Sequence, residues 1–371
     1  MAGSIDKIKD KFRVTFELGK DANGKRLRKF TTFKTEAEAK KALNEHVYNL
    51  QRNLLVKSTD VTLAEFLDIW MDQDVKRNCQ ETTIYGYKNV INKHLVPYMG
   101  SIKLQKLEPA MIQRYYGHLQ DEKDLSPNTV QRHHDLLRRS LQFGLRQQYV
   151  YRNVADAVTL PKKRKFEGTP YTPEQLKTLF EKAKDTRMEL PVYLAGYLGL
   201  RREEILGLKW TCVDLEQRVL KIEEVRTAAG GEIVVKAPKS EKSRRMLYIV
   251  DELFDLLIKH RQIQDEYKEM LGSDYEDSGY VFVREDGKPY RINSVTEHFK
   301  ELLEKYGLPR IRLHDLRHTF ASILYAQKVD IKAISEALGH SDIGITSKIY
   351  THLFDKTHQS TVSAMSKALN R

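Results

Sequence analysis

Cysteine is nearly absent from this chain, which has only Cys79 and Cys212 among 371 residues. Two thiols so far apart in sequence form neither a disulfide framework nor a zinc-ligand cluster, and we expect both to be ordinary reduced thiols. The sequence also lacks a Walker loop, a G-x-G-x-x-G after a strand and an H-E-x-x-H motif. We therefore expect neither a cofactor nor a catalytic metal, so that side chains must supply any chemistry.

Long apolar runs are missing as well. No segment approaches the roughly 18 apolar residues of a membrane-spanning helix, and the first residues, MAGSIDKIKD, contain no signal-peptide core. These absences predict a cytoplasmic protein without a membrane partner. What the chain does have is charge: 63 Lys+Arg against 51 Asp+Glu give a net charge of +12 and a pI near 9.3. Such an excess favours a polyanionic partner, nucleic acid before an anionic membrane surface.

The hydrophobic fraction of 40% is sufficient for two or three domains with real cores. The first boundary follows a basic segment, 1–60, which contains 14 Lys+Arg and 8 Asp+Glu and so has half of the net charge. Within it Phe12, Val14 and Phe16 alternate with polar residues, and Asn23-Gly24 predicts a hairpin turn. A capping box at 35–38 then predicts a helix. We expect a three-stranded sheet with one helix packed on it.

Residues 61–165 lack strand alternation and predict a helical domain, with Ser126 as the N-cap of its longest helix and Pro127 at the first helical position. The apolar face of this helix leaves arginines free to meet solvent or phosphate. A solvated charged face is the ordinary alternative. The DNA-binding candidates in this helix and in the basic linker after Pro161 are Arg132, Arg138, Arg139, Lys162, Lys163, Arg164 and Lys165.

The last predicted domain, 166–371, opens with a capping box at Thr172-Pro173-Glu174-Gln175. Its pattern is helical, with a β-rich interruption from about Val219 to Ile249. The predicted fold class is therefore multidomain and mainly α with small β elements: an N-terminal sheet plus helix, a helical domain and a mixed α/β domain.

Residues suited to phosphodiester chemistry are concentrated in that last domain. Transfer of a phosphoryl group without a metal needs a nucleophile, cations that neutralise the phosphoryl oxygens and an acid for the leaving oxygen. His314 and Arg317 are three residues apart, which predicts one helix face and one shared anion. Arg201 follows an apolar helix, with Glu204 one turn on to hold it. Tyr350 supplies a phenol.

These residues resemble the signature of the tyrosine recombinases, in the integrase branch of phages and conjugative transposons that includes lambda integrase. Gly199-Leu200-Arg201 with Glu204, His314-x-x-Arg317, Leu338-Gly339-His340 and Tyr350 with His352 occur in the family's order and spacing. Each string alone is common by chance, but the ordered set over half of the chain is specific. Upstream, 1–60 is similar to an arm-site-binding domain and 61–165 to the family's helical core-binding (SAM-like) domain.

The resemblance implies a site-specific recombinase that integrates or excises a mobile element. Arg201 and Arg317 would bind the scissile phosphate, and Tyr350 would attack it to form a 3′-phosphotyrosine. His314 would assist proton transfer, His340 would steady the phosphate oxygens, and Glu204 would buttress the site. The resemblance thus implies a supporting role for Glu204 and catalytic roles for Arg201, Lys239, His314, Arg317, His340 and Tyr350.

The resemblance also implies a lysine as the proton donor to the leaving 5′-hydroxyl. The family's lysine lies in a β-hairpin, in a K-T-x-x-S-x-R pattern, and the segment from Lys239 to Arg245 fits it with Ser240 in place of Thr. Lys239 would then be the acid. Lys236 and Lys242 are close enough in sequence to remain alternatives.

The resemblance also implies partners: double-stranded DNA at core and arm attachment sites and a homotetramer on that DNA. It allows for an excisionase and a host DNA-bending protein. After Tyr350, Val362, Met365 and Leu369 recur at helical spacing, which predicts an exchange segment docking on a neighbouring protomer. Docking on its own domain remains open.

Two other functions compete with this one. A type IB topoisomerase or a chromosome-dimer resolvase would use the same chemistry, but such relatives generally act without a module like 1–60. A helix-turn-helix binding protein would explain the segment from Ile331 to Tyr350. It would leave Arg201, Lys239 and the pair His314 and Arg317 unexplained.

Overall fold

The structure is a computed structural model that describes residues 3–20, 26–51, 60–163, 170–238 and 241–340, together with Asp342 and Gly344. The chain divides into two compact units, 1–165 and 166–371. The three-domain division remains a prediction. Four of the predicted functional residues, Arg164, Lys165, Lys239 and Tyr350, lie outside the described residues, as do the Asn23-Gly24 turn and the whole segment after Gly344.

The first unit begins with an antiparallel sheet in the order β1-β2-β3. Its strands are β1 (Gly3–Ile8), β2 (Lys11–Lys20) and β3 (Arg26–Phe33). Helix α1 (Glu36–Gln51) follows and packs on β2, where Val14 and Ala39 are fully buried. The predicted capping box is present, since Thr35 and Glu38 exchange two 3.3 Å hydrogen bonds. The three-stranded sheet with one helix is confirmed.

Helices make up the rest of this unit. They are α2 (Leu63–Trp70), α3 (Lys76–Asn78), α4 (Glu81–Val90), α5 (Val96–Met99), α6 (Pro109–Asp121) and α7 (Pro127–Arg146). Two π-helical turns, Met71–Val75 and Ile91–Leu95, run between α2 and α3 and between α4 and α5. As predicted, Ser126 caps α7, accepting a hydrogen bond from the backbone of Thr129.

Helices α6 and α7 are joined by an apolar core and by two buried polar pairs. Hydrogen bonds of 2.7 Å and 3.0 Å connect Tyr115 to His133 and Tyr116 to His134. Burial lowers the pKa of His133 to about 4, so this ring is neutral at ordinary pH. A neutral imidazole can accept a hydrogen bond from the tyrosine hydroxyl, so neither polar group is left unpaired inside the core.

The second unit contains α8 (Pro173–Ala183), α9 (Glu189–Leu198), α10 (Arg202–Gly207), α11 (Asp251–Leu271), α12 (Ile292–Lys305), α13 (Asp315–Ala326) and α14 (Ile331–Leu338). Apolar helix α9 lies in its core, with Leu190, Val192 and Leu194 fully buried, and α13 packs on both α9 and α14. The capping box at Thr172 is present as predicted.

The β-rich interruption is confirmed as two small antiparallel sheets. One has the order β4-β5-β8, with β4 (Val213–Asp214), β5 (Val219–Lys221) and β8 (Met246–Tyr248). The other is a hairpin of β6 (Val225–Ala229) and β7 (Glu232–Lys236). These elements together confirm the predicted fold class. None of the described helices is both long enough and apolar enough to cross a membrane.

Candidate active site

Five of the predicted site residues are described: Arg201, Glu204, His314, Arg317 and His340. They come from the segment between α9 and α10 together with the first turn of α10, the start of α13 and the turn after α14. Local folding rules explain each placement. The chain leaves the apolar helix α9 at Gly199, buries Leu200, and presents Arg201 as the residue that precedes α10.

Arg201 is attached to Glu204, as its spacing predicts. The Glu204 carboxylate accepts hydrogen bonds from the backbone N–H of Arg201 at 2.9 Å and from its Nη1 at 2.6 Å. The Glu204 side chain is only 1% exposed, whereas that of Arg201 is 29% exposed. The guanidinium therefore has one anchored end and one accessible end.

A second guanidinium, from Arg245, reaches the same carboxylate. Its Nη2 and Nη1 donate to the two oxygens of Glu204 at 2.9 Å and 3.1 Å. Burial alone would raise the pKa of Glu204, but the hydrogen bonds and charges of Arg245 and Arg201 outweigh burial and lower that pKa to about 2. Glu204 is thus a buried, ionised carboxylate between two arginines, and we call these three residues the Glu204 clamp.

Arg317 lies in the first turn of α13 and is 2% exposed. Its Nη1 donates to the carbonyl of Gly199 at 2.7 Å, and its Nη2 donates to the carbonyl of Leu338. One buried cation therefore joins the end of α9 to the end of α14. Carbonyl acceptors satisfy part of the guanidinium without cancelling its charge, which keeps the pocket cationic.

His314 is the N-cap of α13 and has helical backbone angles, and its carbonyl accepts a hydrogen bond from the backbone N–H of Arg317 at 3.2 Å. Its side chain is exposed, whereas Arg317 is buried. Partial desolvation, together with the charges of His318 and Arg317, lowers the pKa of His314 to about 4 even though part of the ring meets solvent. The two residues still lie within one turn of each other.

His340 follows α14, which ends at Gly339 as predicted. Its backbone N–H donates to the carbonyl of Ser335 at 3.0 Å. Burial and then the charges of Arg317 and Arg201 lower the pKa of His340 to about 4. Arg317 donates to the carbonyl of Leu338, two residues before His340, and to the carbonyl of Gly199, two residues before Arg201. One guanidinium therefore joins the His340 segment to the Arg201 segment.

The pocket combines the guanidinium groups of Arg201, Arg245 and Arg317 with one carboxylate and two neutral imidazoles. Its net charge is positive, and it is suited to bind an oxyanion such as a phosphodiester. Neutral imidazole can also accept a proton or a hydrogen bond. Among the residues that the structure describes, no group of His, Cys, Asp or Glu side chains is placed to hold a metal ion.

Sequence reasoning assigned no role to Arg245, although this residue closes the K-x-x-x-S-x-R pattern that it used for Lys239. The arginine at the end of that pattern was the available signal. Asp315 was also missed: it is 2% exposed and accepts hydrogen bonds from the backbone and guanidinium of Arg312 at 2.7 Å each. That pair fixes the chain immediately before Arg317.

The DNA-binding candidates of the first unit differ from one another. Arg132, Arg138 and Arg139 are exposed on α7, and Lys162 and Lys163 are exposed in the linker. Arg138 donates to Asp156 at 2.6 Å. Arg139 contacts the Tyr87 hydroxyl at 3.3 Å. Both side chains remain exposed to solvent, as expected, although each also contacts an acidic or aromatic neighbour.

Family models match both parts of the chain. The model described as the phage integrase family matches residues 171–357, and that of the phage integrase N-terminal SAM-like domain matches 62–120. A tyrosine recombinase XerC-like protein of Caldanaerobacter subterraneus is 29% identical over 96% of both chains. The ICEBs1 integrase of Bacillus subtilis is 28% identical, covering 95% of this chain and 96% of that protein.

Solved structures show the same fold. The Tn1549 transposon integrase in complex with a circular intermediate DNA has a TM-score of 0.69 at 18% identity, covering 82% of this chain and 99% of that one. A lambda integrase dimer bound to a core site has a TM-score of 0.57 at 17% identity, covering 94% of each chain. Because the phage integrase match spans half of the sequence and includes every described residue of the pocket, the chain belongs to the phage integrase family and is a site-specific tyrosine recombinase.

Proposed function

We propose that this recombinase cleaves and rejoins double-stranded DNA through a 3′-phosphotyrosine at Tyr350, and thereby integrates or excises a mobile element. The observation that carries the proposal is that buried Arg317 joins the segments of Arg201 and His340, which are far apart in sequence, through the carbonyls of Gly199 and Leu338. Such a pocket matches the charge that grows on the phosphoryl oxygens during in-line attack.

The reaction would run as a transesterification. The Tyr350 oxygen attacks phosphorus, the O–P bond to tyrosine forms, and the bond to the 5′-oxygen breaks. Lys239 would give its proton to that leaving oxygen. Attack by a 5′-hydroxyl on the phosphotyrosine then reverses these steps, so the energy of the broken bond is conserved and no ATP is required. Both residues lie outside the described part of the chain, and their roles rest on the resemblance.

The described residues would divide the remaining work. Arg201, with one accessible end, is suited to contact a non-bridging oxygen. Arg317 adds positive charge while it holds the backbone at Gly199 and Leu338. The lowered pKa of His314 and of His340 makes both rings neutral near pH 7 before DNA binds. A neutral His314 can accept the phenolic proton of Tyr350, and an arriving phosphate would favour the protonated ring.

The partners follow from the same proposal. The domain at 166–371 and the helical domain at 61–165 would bind core DNA. Lys162 and Lys163 are exposed and would contact its phosphates. The basic module 1–60 would bind separate arm sites. A homotetramer would assemble on DNA through the C-terminal segment, with an excisionase and a host DNA-bending protein as accessory partners. We expect this to take place in the cytoplasm.

Replacement of the nucleophile tests the proposal. On a nicked core site that traps the cleaved state, wild-type protein should accumulate covalently on DNA in a denaturing gel. Tyr350→Phe should form no covalent product and should bind DNA with nearly unchanged affinity, because one hydroxyl contributes little to the many phosphate contacts. Arg201→Ala and Arg317→Ala should lower the cleavage rate about 100-fold or more. Covalent product from Tyr350→Phe at the wild-type rate would refute the assignment.

A further inference from the structure

We propose that Arg245 is a positioning residue for strand cleavage: it keeps the Arg201 guanidinium bound to Glu204 through Nη1 alone and so leaves the other guanidinium nitrogens available to the scissile phosphate. The inference rests on the proposed function, because it concerns the same reaction. Its basis is the division of one carboxylate between two arginines.

The hydrogen bonds of the Glu204 clamp show how the carboxylate is divided. Arg245 donates to both carboxylate oxygens, at 3.1 Å and 2.9 Å. Arg201 donates to the carboxylate through its backbone N–H and through Nη1 only. An isolated Arg–carboxylate pair prefers two parallel hydrogen bonds from the guanidinium. Arg245 occupies the oxygen positions that such a second bond from Arg201 would need.

Arg245 is also fixed in place by backbone acceptors. Its Nε donates to the carbonyl of Ala337 at 2.6 Å, and its Nη1 donates to the carbonyl of Ser243 at 3.2 Å. The side chain is 6% exposed. The planar Arg245 guanidinium donates to a carboxylate through its two terminal nitrogens and to a carbonyl through Nε, and these contacts together fix its orientation. A lysine ammonium cannot make the same set of hydrogen bonds.

The same side chain touches the turn that carries His340. A Cβ atom at Gly339 would lie 3.1 Å from Nη1 of Arg245, and Ser243 donates to the Gly339 carbonyl at 3.3 Å. Arg245 thus connects the segment following Lys239 to two parts of the pocket, the Arg201 end and the His340 end. Without Arg245, the Glu204 carboxylate could accept two hydrogen bonds from the Arg201 guanidinium. The guanidinium would then be oriented away from the phosphate.

Changing the charge of the scissile phosphate distinguishes a positioning role of Arg245 from a general effect on folding. Arg201 acts on the negative charge of the phosphate, so a residue that acts through Arg201 should matter less when that charge is removed. A methylphosphonate at the scissile position replaces one charged oxygen by a methyl group. A purely structural defect would slow cleavage of the charged and the neutral substrate equally.

The experiment compares Arg245→Lys with wild-type full-length protein on matched core sites, one with a phosphodiester and one with a methylphosphonate. Arg244→Lys is the control, because Arg244 is the exposed neighbour in the same segment. We expect Arg245→Lys to bind DNA within about threefold of wild type and to cleave the phosphodiester at least about tenfold more slowly. On the methylphosphonate its rate should approach that of wild type, and Arg244→Lys should match wild type on both.

Each outcome decides the question. Equal slowing on both substrates, or no slowing on either, overturns the proposal. Arg245→Gln, which keeps one donor for Glu204, is the second variant, and it should show the same dependence on substrate charge. If neither variant accumulates as folded protein by circular dichroism, Arg245 is a structural residue and the proposal is wrong. Failure of wild-type protein to cleave the phosphodiester would instead refute the proposed function.

Discussion

Glu204 shows what a single buried carboxylate contributes when two arginines share it. Its pKa in the folded protein is lowered from 4.5 to about 2. The folded protein therefore binds this proton less readily than the unfolded chain does. Its stabilising contribution is complete above the unfolded pKa and is lost as the pH falls through the folded pKa.

Glu204→Gln should remove this dependence on pH. Near pH 7 we expect the substitution to cost about 3–5 kcal/mol, because it leaves buried guanidinium groups without their anion. The difference in unfolding free energy between wild type and variant should shrink by on the order of 3 kcal/mol between about pH 4.5 and about pH 2, as wild-type Glu204 becomes neutral. Urea denaturation would measure it in a Trp70→Phe background, where Trp210 is the only tryptophan. A constant difference over this range would contradict the clamp.

Lys239 is the residue whose assignment most needs an experiment. Lys239→Ala should slow cleavage of ordinary DNA by about 100-fold or more, because the 5′-alkoxide then leaves unprotonated. A substrate with sulfur at the 5′-bridging position has a leaving group that needs no acid, so the variant should cleave it at close to the wild-type rate. Lys242→Ala should behave as wild type on both substrates. The opposite pattern for these two variants would place the acid at Lys242.

At the scale of helices and strands, the sequence was informative wherever a structural signal is local. Ser126 and Thr172 were predicted as caps because a cap side chain and the backbone N–H that donates to it lie three residues apart. The Arg201 to Glu204 contact was predicted for the same reason. Arg245 was not, since its partners Glu204 and Ala337 are 41 and 92 residues away in sequence. Only the folded chain shows which carboxylate that arginine meets.

Gly339 offers a test of how tightly the end of α14 is packed. Its φ is 64°, and an added Cβ would lie 3.1 Å from the Lys242 carbonyl oxygen and from Arg245. Gly307 is a matched control: its φ is 62°, and a Cβ there would meet nothing within 4 Å. Gly307→Ala should cost about 1–2 kcal/mol from backbone strain alone. Gly339→Ala should cost more and should also slow cleavage, as measured by denaturation and by the nicked-site assay. Equal costs would show that the close approach is tolerated.

For the whole molecule, the uneven distribution of charge predicts two DNA contacts in one protomer. Residues 1–60 have half of the net charge in one sixth of the chain, in a separate sheet and helix. Deletion of 1–60 should leave cleavage of a core site intact. It should impair recombination of an attachment site that includes arm sequences, measured by product formation in the two assays. Equal recombination by the full-length and the deleted protein on the arm-containing site would refute a separate role.

Arg317 also has a consequence for incomplete chains. Its acceptors, at Gly199 and Leu338, lie 118 residues before it and 21 residues after it. A polypeptide that ends before Leu338, through interrupted synthesis or proteolysis, lacks the Leu338 carbonyl that accepts a hydrogen bond from Arg317. Loss of a hydrogen bond to a buried charged group lowers the free energy of unfolding of the whole pocket. Fragments of this protein should therefore be inert instead of half-active. The two acceptors of Arg317 thus make the pocket a property of the nearly intact catalytic region and of no shorter piece of it.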